Sequence, residues 1–466
     1  MKSIADLWSD PRVAATSMDS PSYGATSKNH VADALTRLTT ALHWAGEDDT
    51  RGAFGAVVPR GATVLVKPNW VTHVNQGPWG IEPLITHASV IDAVVRALLP
   101  ADPGSVLVGD APIQACDFER LLATGDLATW SSRLMAAEPR FKGIRDFRRT
   151  TCVIRDGVRL EFEDRIPMDR FILFDLGAES LLEPITDDTG AFRVTQYDPA
   201  EMVRTHSPGR HQYLVAKDVI EADVIVNLPK LKTHKKAGLT CALKNLIGIN
   251  GNKEYLPHHR VGGSHQGGDC YPGASPVKRA LEFALDRSNG SRSGARRRVW
   301  SAGADMLQRA VNLTGDRYGV EGSWSGNDTI WRTCLDLNRI LLYGRSDGSL
   351  ADQPQRRVLH VVDAIVAGHG DGPLAPQPLP IGMMLAGSSG AAVDWVAAQL
   401  LEYDPERIPI AREAFGDFRW PLAPFQSTAV ELLGDRNASG SAQRPRPDVA
   451  YPAGWLEAVA RDPARV

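Results

Sequence analysis

Short and nearly continuous apolar runs recur along this chain, and most of them end in Gly, Asn, Pro or Asp. The first clear run covers residues 63–67, a segment with helix-like apolar spacing covers 89–99, and a second short run covers 105–108. This order predicts a strand, a crossover helix and another strand. Further runs of the same kind cover 171–174, 224–226, 358–366 and 381–385. Because such runs are typical of strands that are covered on both sides, we expect an α/β fold with a mostly parallel sheet and helices on both faces.

The same pattern divides the chain into five parts. They are an N-terminal segment (1–55), the first part of an α/β core (56–273), an inserted helical and irregular subdomain (274–349), the second part of the core (350–435) and a C-terminal tail (436–466). Within these parts, a helix is expected over 31–44 and a solvated basic loop over 288–298. The tail is rich in Pro, Arg, Ala and Ser, so we expect it to pack loosely.

Residues with useful chemistry follow four of the predicted strands. Lys67 and Asn69 follow the first strand, Asp110 the second, Lys230 the run at 224–226 and Asp371 the run at 358–366. Ligands of open α/β sheets bind beyond the carboxyl ends of the strands. We therefore expect these five side chains to lie together and to bind a substrate or a cofactor.

Lysines are concentrated in one window of the chain. Only twelve lysines occur, and six of them fall within residues 230–253. Lys230 and Lys232 are expected in a loop that follows a buried strand, and His234 lies in the same loop. Dense positive charge beside a helix N-terminus favours an anionic ligand such as a carboxylate or a phosphate.

An apolar helix is predicted to begin near Ala237. On such a helix Thr240 and Lys244 are four residues apart and share one face, with Asn245 beside them. A lysine in an apolar helix loses hydration unless it meets an anion or a covalent partner, and burial lowers its pKa toward nucleophilic competence. The alternative is that Lys244 extends along the apolar surface and keeps its charge in solvent.

Histidines accumulate in the Gly-rich stretch 250–273. His258 and His259 are adjacent there, and Asp363 lies within a predicted strand. Such residues are candidate ligands for a divalent metal with an open coordination position. The alternative for the histidine-rich stretch is a mobile lid over the site.

Composition and charge narrow the partners. The chain of 466 residues has a formal net charge of -3, so nucleic acid is not an expected partner. It has no apolar run of about 20 residues and no secretory signal at its start, so we expect a cytoplasmic protein without a membrane partner. Its five cysteines include no C-x-x-C pair, so no intrinsic iron–sulfur cluster is expected. A homodimer is a reasonable expectation for a protein of this kind.

Several short motifs, taken together, resemble the domain of unknown function 362 family. They are VLVKPN (64–69), Thr86-His87, Gly109-Asp110, LPKLKTHKKAGLTCALKNLIGI (228–249), VDAIVAGHGDGP (362–373), and residues 391–395 followed by Tyr403-Asp404-Pro405. Many members of that family resemble iron–sulfur proteins because they carry a ferredoxin-type cysteine cluster. This chain has no such cluster.

A second and more distant resemblance is to nickel-dependent lactate racemase and its relatives. It lies in His234-x-x-Ala237-Gly238-x-Thr240, followed by Lys244. The resemblance implies that Lys244 holds a nickel pincer cofactor, that His234 and His87 are catalytic, and that His258 or His259 is a metal ligand. The residues before the lysine depart from that family's Gly-Gly-Arg, because this chain has Cys241-Ala242-Leu243 there.

These observations favour an enzyme that acts on a small carboxylate or phosphate anion. In this hypothesis Lys67, Lys230 and Lys232 bind the anion, His234 and His87 move protons, and Lys244 is a covalent or electrostatic anchor. The reaction is racemisation, epimerisation or another metal- or cofactor-assisted redox or group-transfer step, and Ni, Fe, Zn and Mg are the candidate metals. Two alternatives stay open: a redox accessory protein that works with a separate iron–sulfur partner, and a non-catalytic protein that binds a small ligand.

Overall fold

The computed structural model of the chain describes residues 1–18, 23, 30–46, 49–155, 158–434 and 448–459. The strands are β1 Arg12–Ser17, β2 Thr63–Pro68, β3 Ser105–Asp110, β4 Phe141–Asp146, β5 Thr150–Arg155, β6 Val158–Asp164, β7 Phe171–Asp175, β8 Phe192–Arg193, β9 His206–Ser207, β10 Arg210–Ala216, β11 Val224–Leu228, β12 Lys230–His234, β13 Gly238–Thr240, β14 His259–Arg260, β15 Arg357–Asp371, β16 Ala375–Leu379, β17 Met383–Gly387 and β18 Glu431–Gly434. The helices are α1 Ile4–Trp8, α2 His30–Ala41, α3 Ala88–Leu98, α4 Phe118–Ala123, α5 Leu127–Ala137, α6 Pro199–Thr205, α7 Lys217–Ile220, α8 Ala242–Asn245, α9 Pro276–Asn289, α10 Gly294–Leu313, α11 Ile330–Tyr343, α12 Gly390–Leu400 and α13 Pro409–Arg412.

One large sheet organises the molecule. Its strand order is β18-β1-β17-β15-β11-β2-β3-β4, and β12, β13 and β16 extend it at one end of β15. The pairs from β15 through β11, β2 and β3 to β4 are parallel, whereas β17 runs antiparallel to both of its neighbours. Val64 and Val66 pack on the side of α2 and α3, and Leu65 packs on the opposite side with β10 and α11. The predicted α/β fold, with a mostly parallel sheet covered on both faces, is therefore confirmed.

The ends of the chain are more closely integrated than the sequence pattern indicated. Strand β1 lies inside the main sheet, where Val13 is opposite Gly387 of β17, so residues 1–55 are not a separate segment. In the tail, Trp455 is buried and its indole N–H donates to the Lys235 carbonyl at 2.6 Å. Trp455 joins the same apolar cluster as α12, so the described part of the tail does not pack loosely.

The predicted insertion is divided between two environments. Helices α9 and α10 pack on each other around a small cluster of their own that includes Leu281 and Val311. Helix α11 instead lies in the main core, where Leu335 and Leu337 are fully buried. The loop expected over 288–298 is shorter than predicted, because α10 already begins at Gly294. The run at 171–174 also differs from expectation, since β7 pairs with β10 in a small separate sheet.

The lysine-rich segment forms a hairpin rather than a loop and a long helix. Residues Lys230–His234 are strand β12, and Lys232 lies opposite Thr240 of β13. The helix does not begin near Ala237, because Gly238 adopts a φ of +81° and a Cβ there would lie 2.9 Å from Ile408 and Trp455. Thr240 and Lys244 therefore do not share a helix face, and only Lys244 is on α8.

None of the helices within the described ranges is both long and apolar enough to cross a membrane.

Candidate functional site

A cavity of about 690 Å³ opens beyond the carboxyl ends of the central strands. Asn69 follows β2, Asp110 ends β3 and Asp371 ends β15, as the position of ligands in open α/β sheets predicts. The other side chains of the lining come mainly from the β12–β13 hairpin, α8 and the segment after it. Those with polar or charged groups include His73, Cys152, Lys232, His234, Lys235, Lys236, Thr240, Lys244, Asn245, Lys253, His258 and Glu321.

The five lysines of the lining differ in their partners. Lys235 pairs with Asp371 at 3.5 Å, and Lys236 pairs with Glu321 at 3.8 Å. Lys232 is fully buried and donates to neutral oxygens, namely Asn69 Oδ1 at 2.7 Å and the Leu84 carbonyl. Two further lysines of the lining, Lys244 and Lys253, form no hydrogen bond or ion pair with any residue that the structure describes.

Burial changes the protonation equilibrium of these unpaired amines. It lowers the pKa of Lys232 well below its usual range, and the charges of Lys230 and Lys244 lower it further. Burial likewise lowers the pKa of Lys244, and it lowers the pKa of Lys253 to about 8, with help from the charge of Lys244. An anion in the cavity would therefore favour the protonated form of these amines.

His234 presents an N–H group to the cavity. Its Nδ1 accepts hydrogen bonds from the backbone N–H groups of Lys236 at 3.0 Å and Ala237 at 3.2 Å. In the neutral ring the proton must then be on Nε2, which no other described residue contacts through a hydrogen bond. Burial, and then the charge of Lys244, lower the pKa of His234 well below its usual range. The ring is therefore neutral and donates through Nε2.

His258 has the opposite tautomer. Its Nδ1 lies 2.6 Å from the carbonyl oxygen of Leu256, which can only accept, so Nδ1 carries the proton. Nε2 is then an unprotonated acceptor, and it has no hydrogen-bond partner in the described ranges. Burial, and then the charge of Lys253, lower the pKa of His258 well below its usual range. His234 and His258 thus present one donor and one acceptor to the cavity.

A chain of side-chain amides holds Lys232 and the floor of the cavity. Lys232 donates to Asn69, Asn69 Nδ2 donates to Asn245 Oδ1 at 2.8 Å, and Asn245 Nδ2 donates to Asn227 Oδ1 at 2.7 Å. Asn227 Nδ2 in turn donates to the Ala242 carbonyl at 2.9 Å and to His360 Nδ1 at 3.0 Å. Because each amide oxygen in this chain accepts from an N–H group and each amide nitrogen donates to an acceptor, the orientation of each amide is determined.

The direction of Lys244 depends on a buried carboxyl group at the start of α8. Asp394 accepts hydrogen bonds from the backbone N–H groups of Ala242 at 2.6 Å and Leu243 at 3.3 Å. Burial raises the pKa of Asp394 to about 7, against the effect of these two hydrogen bonds. Beside α8, the hydroxyl of Thr240 lines the cavity and is buried without a hydrogen-bond partner in the described part of the chain.

Lys67 does not reach the cavity as predicted. It is fully buried and pairs with Asp110 Oδ1 at 2.7 Å, and Asp110 also accepts from the Trp70 and Ala111 backbone N–H groups. The pair lies under Gly248, where a Cβ would come within 1.9 Å of the carboxylate. Of the two partners only Asp110 lines the cavity, so Lys67 is a structural counterion rather than a substrate ligand.

Two more predicted site residues lie in a separate buried cluster. Lys230 pairs with Asp363 Oδ2 at 2.7 Å and contacts the Tyr23 hydroxyl, and the Tyr23 ring stacks on His87 at 3.7 Å. His87 caps α3 and donates its backbone N–H to Asp363 at 3.0 Å. Burial lowers the pKa of His87 to about 4. His87 and Lys230 are not part of the cavity lining, because these contacts hold them beneath the sheet edge.

The three predicted metal ligands are not brought together. His258 lines the cavity, His259 lines a smaller neighbouring cavity of about 190 Å³, and Asp363 is bound to Lys230. The described residues contain no group of three or more His, Cys, Asp or Glu side chains suited to a metal ion. The adjacent histidines diverge because β14 begins at His259 and turns its ring away from that of His258.

Some residues of the cavity were not identified from the sequence. Lys236 and Lys253 belong to the six-lysine window, so that signal was available. His73 and Glu321 reach the cavity from distant segments, and no local pattern marks them. His73 accepts a hydrogen bond from the Asp117 backbone N–H at 2.9 Å through Nδ1, which leaves its Nε2 as a donor.

Comparison with known proteins finds a family model that matches part of the chain and a protein of low sequence identity. Residues 175–399 match the model of the family described as domain of unknown function (DUF362). A thylakoid-associated protein of Synechocystis sp. is 22% identical over 230 residues, which are 49% of this chain and 46% of that protein, so the match spans about half of each.

Two solved structures also show some similarity. A Thermotoga maritima protein is 11% identical with a TM-score of 0.33, covering 79% of this chain and 58% of that chain. The lactate racemase apoprotein of Thermoanaerobacterium thermosaccharolyticum is 12% identical with a TM-score of 0.30, covering 84% and 57%. These scores are too low to carry an argument about chemistry. The resemblance to the domain of unknown function 362 family is confirmed over residues 175–399, the part of the chain that contains all five lysines of the cavity.

Proposed function

We propose that this protein is an enzyme that binds a small carboxylate or phosphate anion in the cavity and moves protons on it. The observation that carries the proposal is the combination of unpaired amines with two histidines of opposite tautomer. Lys232, Lys244 and Lys253 have no carboxylate partner, so an anion would supply the charge that the protein does not. A cavity lined by buried groups with perturbed pKa values is the usual form of an active site.

The chemistry follows from the two histidines. His258 Nε2 accepts a proton from the substrate carbon next to the carboxylate, and the electron pair of the broken C–H bond moves onto a carboxylate oxygen. His234 Nε2–H donates a hydrogen bond to that oxygen, as a neutral imidazole does in other carbon-acid enzymes. The ammonium groups stabilise the charge that develops there. Return of the proton completes an exchange, or an epimerisation if it arrives on the other face.

A metal or a Lys244-linked cofactor is a further part of the proposal. The groups that fit one are the free amine of Lys244 and the unprotonated Nε2 of His258, because no other described residue occupies either. Such a group would supply a hydride acceptor or a Lewis acid when bound. Intact-protein mass spectrometry with elemental analysis tests this part: an added mass that maps to Lys244, with nickel near one per chain, would support a Lys244-linked cofactor, and an unmodified chain that holds zinc, magnesium or iron would support metal-assisted catalysis. If an unmodified and metal-free protein is active, the reaction uses only the side chains of the protein.

Deuterium exchange tests the proposed reaction. The protein is incubated in D₂O with a panel of 2-hydroxy, 2-oxo and phosphorylated carboxylates, and deuterium at the carbon next to the carboxylate is measured by NMR. We expect exchange in at least one substrate, with His258→Gln removing it and His234→Gln slowing it. Lys142→Met is the matched control, because Lys142 is exposed and lies outside the cavity lining. Exchange that survives both histidine changes would contradict the assignment.

The two alternative functions give different results in the same experiment. A non-catalytic binding protein would bind an anion and leave it unlabelled after long incubation. A redox accessory protein would be brown after anaerobic purification and would contain stoichiometric iron and sulfide.

A further inference from the structure

The charge balance of the cavity points to the class of anion that it takes. We infer that the natural ligand carries two or three negative charges spread along its length, as in a di- or tricarboxylate or a phosphorylated carboxylate. This inference rests on the proposed function and narrows it.

Three lysine amines of the cavity have no carboxylate partner. Among the lining residues, Asp371 pairs with Lys235 and Glu321 pairs with Lys236, and Asp110 is bound to Lys67 below the floor. Every carboxylate of the described lining is thus matched to a lysine. Lys232, Lys244 and Lys253 remain, and all three can be protonated without a costly uncompensated charge only if the ligand brings two or three negative charges.

The three lysines reach the cavity from different elements. Lys232 is on β12 and is held by Asn69, Lys244 is on α8, and Lys253 belongs to the segment after α8. The charge of Lys244 lowers the pKa of both Lys232 and Lys253. A ligand with negative charge at more than one point can therefore meet all three amines.

The neutral groups of the cavity agree with such a ligand. The N–H of His234 and the unpartnered hydroxyl of Thr240 are both available to donate, and Thr240 is only 4% exposed. Carboxylate and phosphate oxygens are acceptors, so they satisfy these donors. His258 Nε2 is the one acceptor that the described histidines offer to the ligand's carbon-bound or hydroxyl proton.

Calorimetric titration with acetate, succinate, tricarballylate and pyrophosphate, at constant ionic strength, tests the charge class. For the wild type we expect affinity to rise about tenfold with each added charge. Lys253→Met should remove the gain from the third charge, whereas Lys142→Met, at an exposed lysine outside the cavity lining, should leave the series unchanged. Titration at pH 8.5 in two buffers of different ionisation enthalpy should show proton uptake with tricarballylate, and Lys253→Met should reduce that uptake.

The outcomes separate this inference from the proposed function. If acetate binds as tightly as tricarballylate and binding still needs Lys244, the charge class is wrong and the enzyme proposal stands. If none of the four probes binds and no deuterium exchange occurs, the proposed function itself fails. If the affinities for the four anions are the same in Lys253→Met and in the wild type, the inference is also overturned, because the three lysines then do not act together.

A second inference rests on the exposed face of α10. Val299 and Met306 are each 71% exposed and Leu313 is 89% exposed, at intervals of seven residues along one face. Ala302 and Gly303 lie between them on the same face and would allow a close approach. Apolar positions with this spacing are typical of a helix that packs against another helix.

We propose that a second copy of this chain covers that face, with the two α10 helices antiparallel. A two-fold axis near Ala302 and Gly303 places Val299 opposite Met306 of the second copy. Arg298 and Asp305 lie on one flank of the face, are exposed, and form no ion pair within the described ranges. The same axis brings Arg298 near Asp305 of the second copy, so each flank is self-complementary.

Charge exchange on that flank tests the dimer. Sedimentation velocity from about 1 to about 100 µM should show a dimer for the wild type. Arg298→Glu and Asp305→Arg should each weaken it, and the double variant should restore it, because the pairing is the same with its signs reversed. Met306→Asp should dissociate it, whereas Met168→Asp, at another exposed methionine, should not. A monomer throughout this range, or a dimer that no α10 variant weakens, would overturn the proposal.

Discussion

Lys230 and Lys232 are two residues apart on the same strand, and neither side chain is exposed to solvent. Their surroundings differ in one respect. Lys230 faces the carboxylate of Asp363 at 2.7 Å, together with Tyr23, whereas Lys232 is held by the oxygen of an amide and that of a backbone carbonyl. The first lysine is compensated within the protein, and the second is not.

The presence or absence of a carboxylate partner distinguishes a lysine that stabilises the fold from one that the proposed function assigns to a ligand. Residue type and burial are the same for both and do not distinguish them. A buried charge that is matched within the fold contributes to the fold, since removing its partner leaves an isolated charge. A buried charge that is unmatched lowers stability unless something else binds to it. In the proposed function, Lys232, Lys244 and Lys253 are therefore available to a ligand, whereas the Lys230 cluster stabilises the fold.

The largest expected effect is a loss of stability when the ion pair between Lys230 and Asp363 is broken. Asp363→Asn should lower the free energy of unfolding by about 3–5 kcal/mol, because Lys230 loses its counterion in a dry environment. Denaturation in urea measures this change. Lys232→Met should change the same quantity by less than about 1 kcal/mol, since it removes an uncompensated charge and keeps the apolar stem.

The double variant Lys230→Met with Asp363→Leu is the control for the ion pair. It removes both charges and should recover much of the loss caused by Asp363→Asn. If Lys232→Met is as damaging as Asp363→Asn, the distinction between the two lysines is wrong.

The next largest expected effect is a slower reaction when the amine of Lys244 is removed. Lys244→Met should slow the deuterium exchange by about 100-fold, because a preorganised charge that stabilises the developing negative charge is lost. The free energy of unfolding should stay the same or rise, since a buried unpaired amine is removed. Exchange rates and urea denaturation are measured on the same preparation, with Lys142→Met, outside the cavity lining, as the reference. A parallel fall in stability and rate would indicate a structural role instead.

A pH experiment addresses the compensated cluster. The pKa of His87 is lowered to about 4 by burial, while that of a histidine in the unfolded chain is about 6.5. Between these values the unfolded chain binds a proton that the folded chain does not. The contribution of His87 to stability is therefore complete above about pH 6.5 and is lost as the pH falls toward 4.

His87→Asn keeps an acceptor at the start of α3 and removes the titrating group. Compared with the wild type, it should lose about 1–2 kcal/mol less stability between pH 7 and pH 4. Thermal or urea denaturation across this range measures the difference. If the two proteins lose the same free energy of unfolding between pH 7 and pH 4, protonation of His87 does not destabilise the folded protein.

The smallest expected effect concerns Thr240. Its hydroxyl is buried without a partner in the described part of the chain, so Thr240→Val should change the free energy of unfolding by less than about 1 kcal/mol. Affinity for tricarballylate should fall a few-fold, because the ligand loses one donor. Calorimetry and denaturation measure the two quantities. Unchanged affinity would mean that the hydroxyl does not face the ligand.

The main strands could be predicted because their signal is local. The runs at 63–67 and 224–226 correspond to β2 and β11, and the cavity is lined by Asn69, just after β2, and by Lys232, four residues beyond β11. The β12–β13 hairpin was not predicted, although the sequence contains the alternation of residues that is typical of a strand. Lys230, Lys232 and His234 alternate with Leu231 and Thr233, which is the period of a strand, but the charged residues suggested a loop.

The roles of individual lysines could not be predicted in the same way. Lys230 and Lys67 are set apart from the cavity by Asp363, Tyr23 and Asp110, which are far from them in sequence. The tautomers of His234 and His258 depend on backbone groups whose positions follow from the hairpin and from the turn at Leu256. Such partners are determined by the tertiary fold, and a single sequence does not contain them as a pattern.

The place of β1 inside the sheet has a consequence for synthesis on the ribosome. Val13 must pair with Gly387, and these two positions are 374 residues apart. At roughly 5–20 residues per second, the segment emerges roughly 20–75 s before its partner exists. During that time the apolar residues of β1 are an unpaired strand on the nascent chain, so this protein completes its sheet late and depends on its first residues staying unaggregated until β17 arrives.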